Sequence, residues 1–241
     1  PEYVNAHNVV MCTKKGVIKK TTLEAYSRPR TNGINAITIR EGDELLQAKL
    51  TTGENEILMG LRSGKAIRFP EEKVRAVGRT AQGVKGVTLS GADDEVVGMV
   101  IIVDGSKDVL VVSERGYGKR SAVEDYRITN RGGKGVKTLS VTEKTGNLVA
   151  ILGVTDEDDL MVINKSGITI RTGADELRTM GRATQGVRLI NLRKNDEIAA
   201  VCRTPKSEEE EVNIEGAEGV DPEAPAAEGT DTAADAPAGE E

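Results

Sequence analysis

Two glycine signals recur along this chain with a common period, and that periodicity limits the fold more than any other feature. The first sits in a short polar turn: Lys15-Gly16-Val17-Ile18-Lys19-Lys20, Ser63-Gly64-Lys65-Ala66-Ile67-Arg68, Arg115-Gly116-Tyr117-Gly118-Lys119-Arg120 and Ser166-Gly167-Ile168-Thr169-Ile170-Arg171. Its glycines are 48, 52 and 51 residues apart, and a base follows each one four positions later. The second signal, Gly33-Ile34, Gly83-Val84, Gly135-Val136 and Gly186-Val187, steps by 50, 52 and 51. Two marks keeping one step define four copies of one unit.

Each unit reads as β-structure. Apolar, β-branched stretches flank the first glycine, 108–113 against 117–121 and 159–164 against 168–172, which predicts hairpins across a tight turn. Val109-Leu110-Val111-Val112 and Leu160-Met161-Val162-Ile163 do not alternate, so both faces of those strands should be buried. A third strand is expected after the second glycine, at 84–89, 136–141 and 187–192. A fourth is expected at 44–51, 95–103, 147–154 and 197–203, with short polar links at 71–76 and 122–127. No segment carries a sustained 3.6-residue apolar period. The expected fold is therefore all-β and propeller-like, with four-stranded blades at 8–55, 56–107, 108–158 and 159–204. Residues 1–7 read as the end of a preceding segment. The chain begins with Pro1 rather than Met, so further repeats are expected upstream.

The net charge of −6 conceals two opposite halves. Thirteen acids and a single base, Lys206, fall in 205–241, together with four of the seven prolines and almost no large apolar side chain. Such a segment buries too little surface to offset its chain entropy and reads as a disordered acidic tail. The remaining 204 residues are net basic. Either the tail solubilises an ordinary domain, or it competes for a polyanion that the basic part binds.

The bases are placed periodically. Lys19, Lys20, Arg68, Lys119, Arg120 and Arg171 follow the hairpin turn, whereas Arg28, Arg30, Arg79, Arg131, Lys134 and Arg182 precede the second glycine. Lys85, Lys137 and Arg188 lie on the third strand. A lone base near a turn is equally well explained as protection of a strand edge. A base held at one phase of a rotational repeat becomes a belt of charge, which suits duplex DNA bent round a rim. In the third unit Asn130-Arg131-Gly132-Gly133-Lys134-Gly135 places two bases among three glycines, so that backbone N–H groups could approach a phosphate. Taken alone this is either such a loop or a flexible turn. No Ser or Thr follows its lysine, which excludes a nucleotide-binding P-loop.

Other classes are excluded by what is missing. Cys12 and Cys202 are isolated and His7 is the single histidine, so neither a disulfide framework nor a structural zinc site is expected, and a reducing cytoplasm fits. No catalytic constellation of His, Cys or paired carboxylates is visible. Aromatic residues make up 2%, too few for base stacking as a main device. The longest apolar run, at 99–103, is far short of a membrane span.

At these residues the chain resembles the family of C-terminal domains found in the A chain of DNA gyrase. The hallmark of that family is a Gln-Arg-Arg-Gly-Gly-Lys-Gly box; Arg131-Gly132-Gly133-Lys134-Gly135 matches its last five positions, with Thr129 and Asn130 replacing Gln and Arg. Gly181-Arg182-Ala183-Thr184-Gln185-Gly186-Val187 and the acidic tail are also similar. The resemblance implies a six-bladed β-pinwheel, four blades of which are visible here, wrapping DNA around a basic rim. The loop then falls in the fifth blade, and it is either the functional box or an echo of one upstream. The resemblance further implies a gyrase B subunit as partner, which supplies ATP hydrolysis and Mg, and no cofactor in this segment. It also implies a holoenzyme of two gyrase A and two gyrase B chains, and ATP-dependent negative supercoiling. It gives Tyr3, Tyr26, Tyr117 and Tyr126 no catalytic role. The alternatives are the related domain of topoisomerase IV and, from another class, a protein-binding propeller of the chromosome-condensation-regulator type. Repeats of the latter carry a Trp-Gly signature that this Trp-free chain lacks.

Overall fold

The turn glycines act first. In a computed structural model that describes residues 6–193 and 195–206, Gly16, Gly64, Gly116 and Gly167 all adopt positive φ, from +76° to +86°. Each closes its turn by donating its N–H three residues back, to Thr13, Leu61, Ser113 and Asn164 at 2.9–3.1 Å. The first repeat then contains β1 (Asn8–Thr13), β2 (Val17–Thr22) and β3 (Leu45–Thr51). The second contains β4 (Glu56–Leu61), β5 (Lys65–Pro70), β6 (Val84–Lys85) and β7 (Val96–Ile102). The third contains β8 (Asp108–Ser113), β9 (Tyr117–Ala122), β10 (Val136–Lys137) and β11 (Leu148–Val154). The fourth contains β12 (Asp158–Asn164), β13 (Thr169–Gly173), β14 (Val187–Arg188) and β15 (Ile198–Pro205).

One strand of each repeat is not where the sequence places it. The segment after the second glycine contributes only two residues, and it pairs with the preceding repeat. The sheets run β3-β1-β2-β6, β7-β4-β5-β10, β11-β8-β9-β14 and β15-β12-β13. Thus Val84 pairs with Ile18, Val136 with Ala66 and Val187 with Gly118, all antiparallel. Beyond these pairs the chain stays docked on the neighbour's turn, where Gly16 and Gly64 accept from Val87 and Leu139. Residues 34–39 form no strand; among the described residues no sheet precedes β1 to receive them.

The two glycine signals prove to be halves of one joint. A Cβ on Gly16 would meet the Val87 side chain at 2.9 Å, and one on Gly83 would meet the Ile18 carbonyl at 2.6 Å. Gly64 and Gly116 crowd the following repeat in the same way, and Gly186 crowds Gly118. Gly33 and Gly167, the outermost members, face open space. The period is therefore enforced where repeats interlock.

Successive sheets bury their faces against each other. Val10, Ile18, Ile57, Met59, Phe69 and Met99 fill the first core, between sheets one and two. Leu58, Val100, Val109, Val111, Tyr126 and Ile151 fill the second. Leu110, Val112, Leu160, Val162, Ala174 and Ile198 fill the third. In β8, Val109 and Val111 face one core while Leu110 and Val112 face the next, which is why the strand does not alternate. In β12, by contrast, Leu160 and Val162 are buried and Met161 and Ile163 only partly so.

Candidate nucleic-acid interface

The expected rim bases separate into two groups. Of those after the turn, Lys19, Lys20, Lys119 and Arg120 are only 1%, 8%, 0% and 5% exposed. They are corrected here from rim contacts to joints between repeats, because their position points into the seam where the next repeat supplies oxygens. Lys19 donates to the carbonyls of Ala36 and Arg79. Lys20 reaches the Glu71 carboxylate at 3.5 Å and the Glu71 carbonyl at 3.2 Å. Lys119 donates to the Gly181 carbonyl (2.6 Å) and Thr184 Oγ1 (3.1 Å). Arg120 bonds Asp108, Asp156 and the Ala174 carbonyl. Arg68, half-buried, pairs with Glu56 and donates to the Val123 and Tyr126 carbonyls at 2.8 and 3.1 Å. Arg171, on the open edge strand β13, pairs with Asp159. Burial pushes Lys119 down to about 8; the Asp125 charge opposes that shift and Arg182 adds to it.

The second group stays at the surface. Arg28, Arg30, Lys85, Lys134, Lys137 and Arg188 are exposed, and Arg79, Arg131 and Arg182 are partly so. None of the nine forms an ion pair among the described residues. Three arginines are instead laid across the preceding repeat by bonds to backbone oxygens. Arg79 reaches Asn35 at 3.2 Å. Arg131 reaches Lys73 and Lys85 at 2.9 and 3.1 Å. Arg182 reaches Asp125 and Lys137 at 2.9 and 2.7 Å. A carbonyl orients a guanidinium without cancelling its charge, so each arginine is fixed, still cationic, on its neighbour, Arg131 and Arg182 beside that repeat's third-strand base.

The box-like loop is held rather than flexible. Gly132 donates its N–H to Gly86 at 2.6 Å, and Thr88 returns bonds to the carbonyls of Gly133 (2.9 Å) and Gly132 (2.6 Å). Gly132 and Gly135 adopt φ of +82° and +74°. Asn130 and Lys134 are exposed on it, beside a cleft of about 250 Å³ that Arg127 also lines. Arg127 is one of three bases that sequence reasoning missed. Arg75, Arg127 and Arg178 recur 52 and 51 residues apart, all exposed and without ion pairs among the described residues. Their spacing is the signal that could have found them. Glu71 was missed as well: it lies fully buried, accepting from Thr51 (2.6 Å) and Gly53 (3.2 Å) of the preceding repeat.

Strand-exchanged sheets with unpaired bases at one phase define a repeat-built all-β protein of the propeller class. The chain matches the family model described as DNA gyrase C-terminal domain, beta-propeller, over residues 7–52, 56–102, 107–155 and 158–203, and it belongs to that family. It is 48% identical over 206 residues to the gyrase A protein of Staphylococcus aureus (strain NCTC 8325 / PS 47), covering 85% of this chain and 23% of that protein. It is 42% identical over 215 residues to the gyrase A protein of Chlamydia pneumoniae, covering 89% and 26%. The chain thus spans about a quarter of the length of these relatives. Its fold is similar to the C-terminal domain of DNA topoisomerase IV, with TM-score 0.79 and 22% identity over 85% of this chain and 64% of that one. It is also similar to a DNA gyrase A C-terminal domain, with TM-score 0.74 and 24% identity over 84% and 67%. The acidic-tail expectation falls on residues outside those described, apart from 205 and 206.

Proposed function

We propose that this chain is the DNA-wrapping part of a gyrase A protein, binding duplex DNA without sequence preference and bending it along the exposed bases. The observation that carries this reading is the repetition of carboxylate-free cations: Arg79, Arg131 and Arg182 on the preceding repeat, with Lys85, Lys137 and Arg188 on the third strands. Backbone phosphates need only such charges, and each one neutralised adds about 0.9 to the slope of log affinity against log salt. DNA has a persistence length of about 150 bp, so a tight bend costs several kcal/mol that the contacts must offset. In the whole enzyme the wrap would present a second duplex to the cleaved one with fixed handedness. ATP hydrolysis by the gyrase B partner would then drive negative supercoiling in the bacterial cytoplasm. Among the described residues no helix is long and apolar enough to cross a membrane.

A gel-shift and bending assay on duplex DNA in rising salt tests the proposal. Binding that bends the duplex and weakens steeply with salt supports it. Absent or salt-insensitive binding rejects it.

A further inference from the structure

The hairpin turn of the third repeat departs from the other three. Glu114 stands where the others carry Lys14, Arg62 and Lys165, and it accepts from Arg62 at 3.0 Å and from the Asn147 N–H at 2.9 Å. Tyr117, after the turn glycine, replaces the Val17, Lys65 and Ile168 of the other copies. Beside it opens a cleft of about 600 Å³ between the third and fourth repeats, lined by Arg115, Tyr117, Lys144, Arg188 and Arg193.

Tyr117 gathers two of these cations. Arg188 Nη2 donates to its hydroxyl at 2.9 Å, and the Arg188 guanidinium and Lys144 ammonium lie 5.4 and 5.5 Å from its ring centroid. The acids on the cleft wall are already engaged. Asp196 accepts from Ser166 (2.8 Å) and Asn164 (2.6 Å), and Glu197 pairs with Lys165 at 2.6 Å. Arg115, Lys144, Arg188 and Arg193 form no ion pair among the described residues. Asp196 keeps its charge near Arg193, but four cations against that one carboxylate leave the concavity net positive, and a multivalent anion relieves the remaining repulsion. The Tyr117 ring already has two cations against it, which leaves no free platform for a base. Four of the remaining lining groups are cationic donors, and three of those are guanidiniums, whose forked geometry suits phosphate oxygens.

We propose that this cleft is a phosphate site, distinct from the box-like loop, that takes either a free oligophosphate or a backbone phosphate of DNA. The DNA source rests on the wrapping reading, in which Arg188 already takes part, whereas the free-oligophosphate source does not. The hydrogen bond from Arg188, against the opposing effect of burial, pulls the Tyr117 phenol below its ordinary range, as an electropositive cleft requires.

The test uses the full chain and a Lys144→Ala/Arg193→Ala variant, two exposed positions at which truncation should leave the unfolding midpoint unchanged. Inorganic tripolyphosphate is titrated calorimetrically, and a short DNA duplex is titrated in parallel. A tenfold or greater loss of tripolyphosphate affinity in the variant identifies a free-oligophosphate site. Failure of tripolyphosphate to bind, with a tenfold loss for the duplex, identifies a DNA phosphate contact. If neither affinity falls in the variant, the proposal is overturned. If the wild-type chain binds no duplex, the wrapping reading fails while the tripolyphosphate arm still decides this one.

Discussion

A side-chain carbon placed on Gly83 would stand 2.6 Å from the carbonyl oxygen of Ile18, because the two backbones touch where one repeat gives a strand to the one before it. Gly83 also holds a φ of +92°. A left-handed conformation alone costs an alanine roughly 1–2 kcal/mol. Gly33 has φ +81° but no neighbour within 4 Å of a built Cβ. Gly33→Ala should therefore lose only the conformational cost, and Gly83→Ala clearly more, in urea unfolding. Equal losses would contradict the interlocking account.

The two groups of bases should respond differently to truncation. Arg131→Ala with Lys134→Ala should lower the unfolding midpoint only slightly, through the two exposed bonds of Arg131 to Lys73 and Lys85, and lower the salt slope of duplex binding by about 1–2, since each phosphate contact contributes about 0.9. Arg120→Ala should instead destabilise the fold, leaving Asp108 without its buried partner. On the proposed wrapping function, the Arg131/Lys134 change in an assembled gyrase should reduce supercoiling more than relaxation. Equal losses of the two activities would point to a folding defect.

Glu71 joins the first two repeats from a fully buried position. Removing one partner of a buried ion pair costs about 3–5 kcal/mol. Glu71→Ala should approach that loss by leaving Lys20 uncompensated, and Glu71→Gln should recover part of it by keeping the bond from Thr51. Chemical denaturation of the two variants measures the difference.

Lys119 sets a pH dependence. Its folded value near 8 lies below the ordinary 10.5, so between these values the unfolded chain holds a proton that the folded chain has released. Stability from this group should therefore rise with pH across that window and be flat below it. Cys12, raised from 9.0 to about 12, contributes the opposite slope above about 9, so the lysine is read from the difference in denaturation midpoint between the wild type and Lys119→Met, which should grow with pH across the window.

The two thiols should react at very different rates. Burial pushes Cys12 up to about 12, against the lowering effects of a Gln47 backbone bond and the Lys49 charge, whereas Cys202 is exposed. A thiol reagent should label Cys202 in the native protein and Cys12 only on unfolding. Two fast equivalents would show that the first core is open.

The hairpins were legible because Gly16, Gly64, Gly116 and Gly167 mark their turns locally, and the burial of β8 on both faces was written in its uninterrupted apolar run. Strand exchange was not legible: nothing in Val84-Lys85 states which sheet a two-residue strand joins, and Gly83 reveals it only by what it touches. Lys119 and Arg131 looked alike because both are bases at a fixed phase. What separates three of the bases is an acid twelve residues earlier, across the hairpin: Glu56 before Arg68, Asp108 before Arg120 and Asp159 before Arg171. Arg79, Arg131 and Arg182 have no paired carboxylate among the described residues and stay available to a phosphate. The cleft at Tyr117 could not be anticipated, because Arg115, Lys144, Arg188 and Arg193 converge only across a seam between repeats.

Passing a strand backwards gives the molecule a direction of vulnerability. If the loop carrying Gly135 and Val136 pulls loose, the repeat that owns it keeps its other three strands, but the one before it is stripped of an edge along β5. Mechanical damage should therefore spread from each repeat toward the amino terminus, and a unit excised from the middle would injure the neighbour upstream before the one downstream.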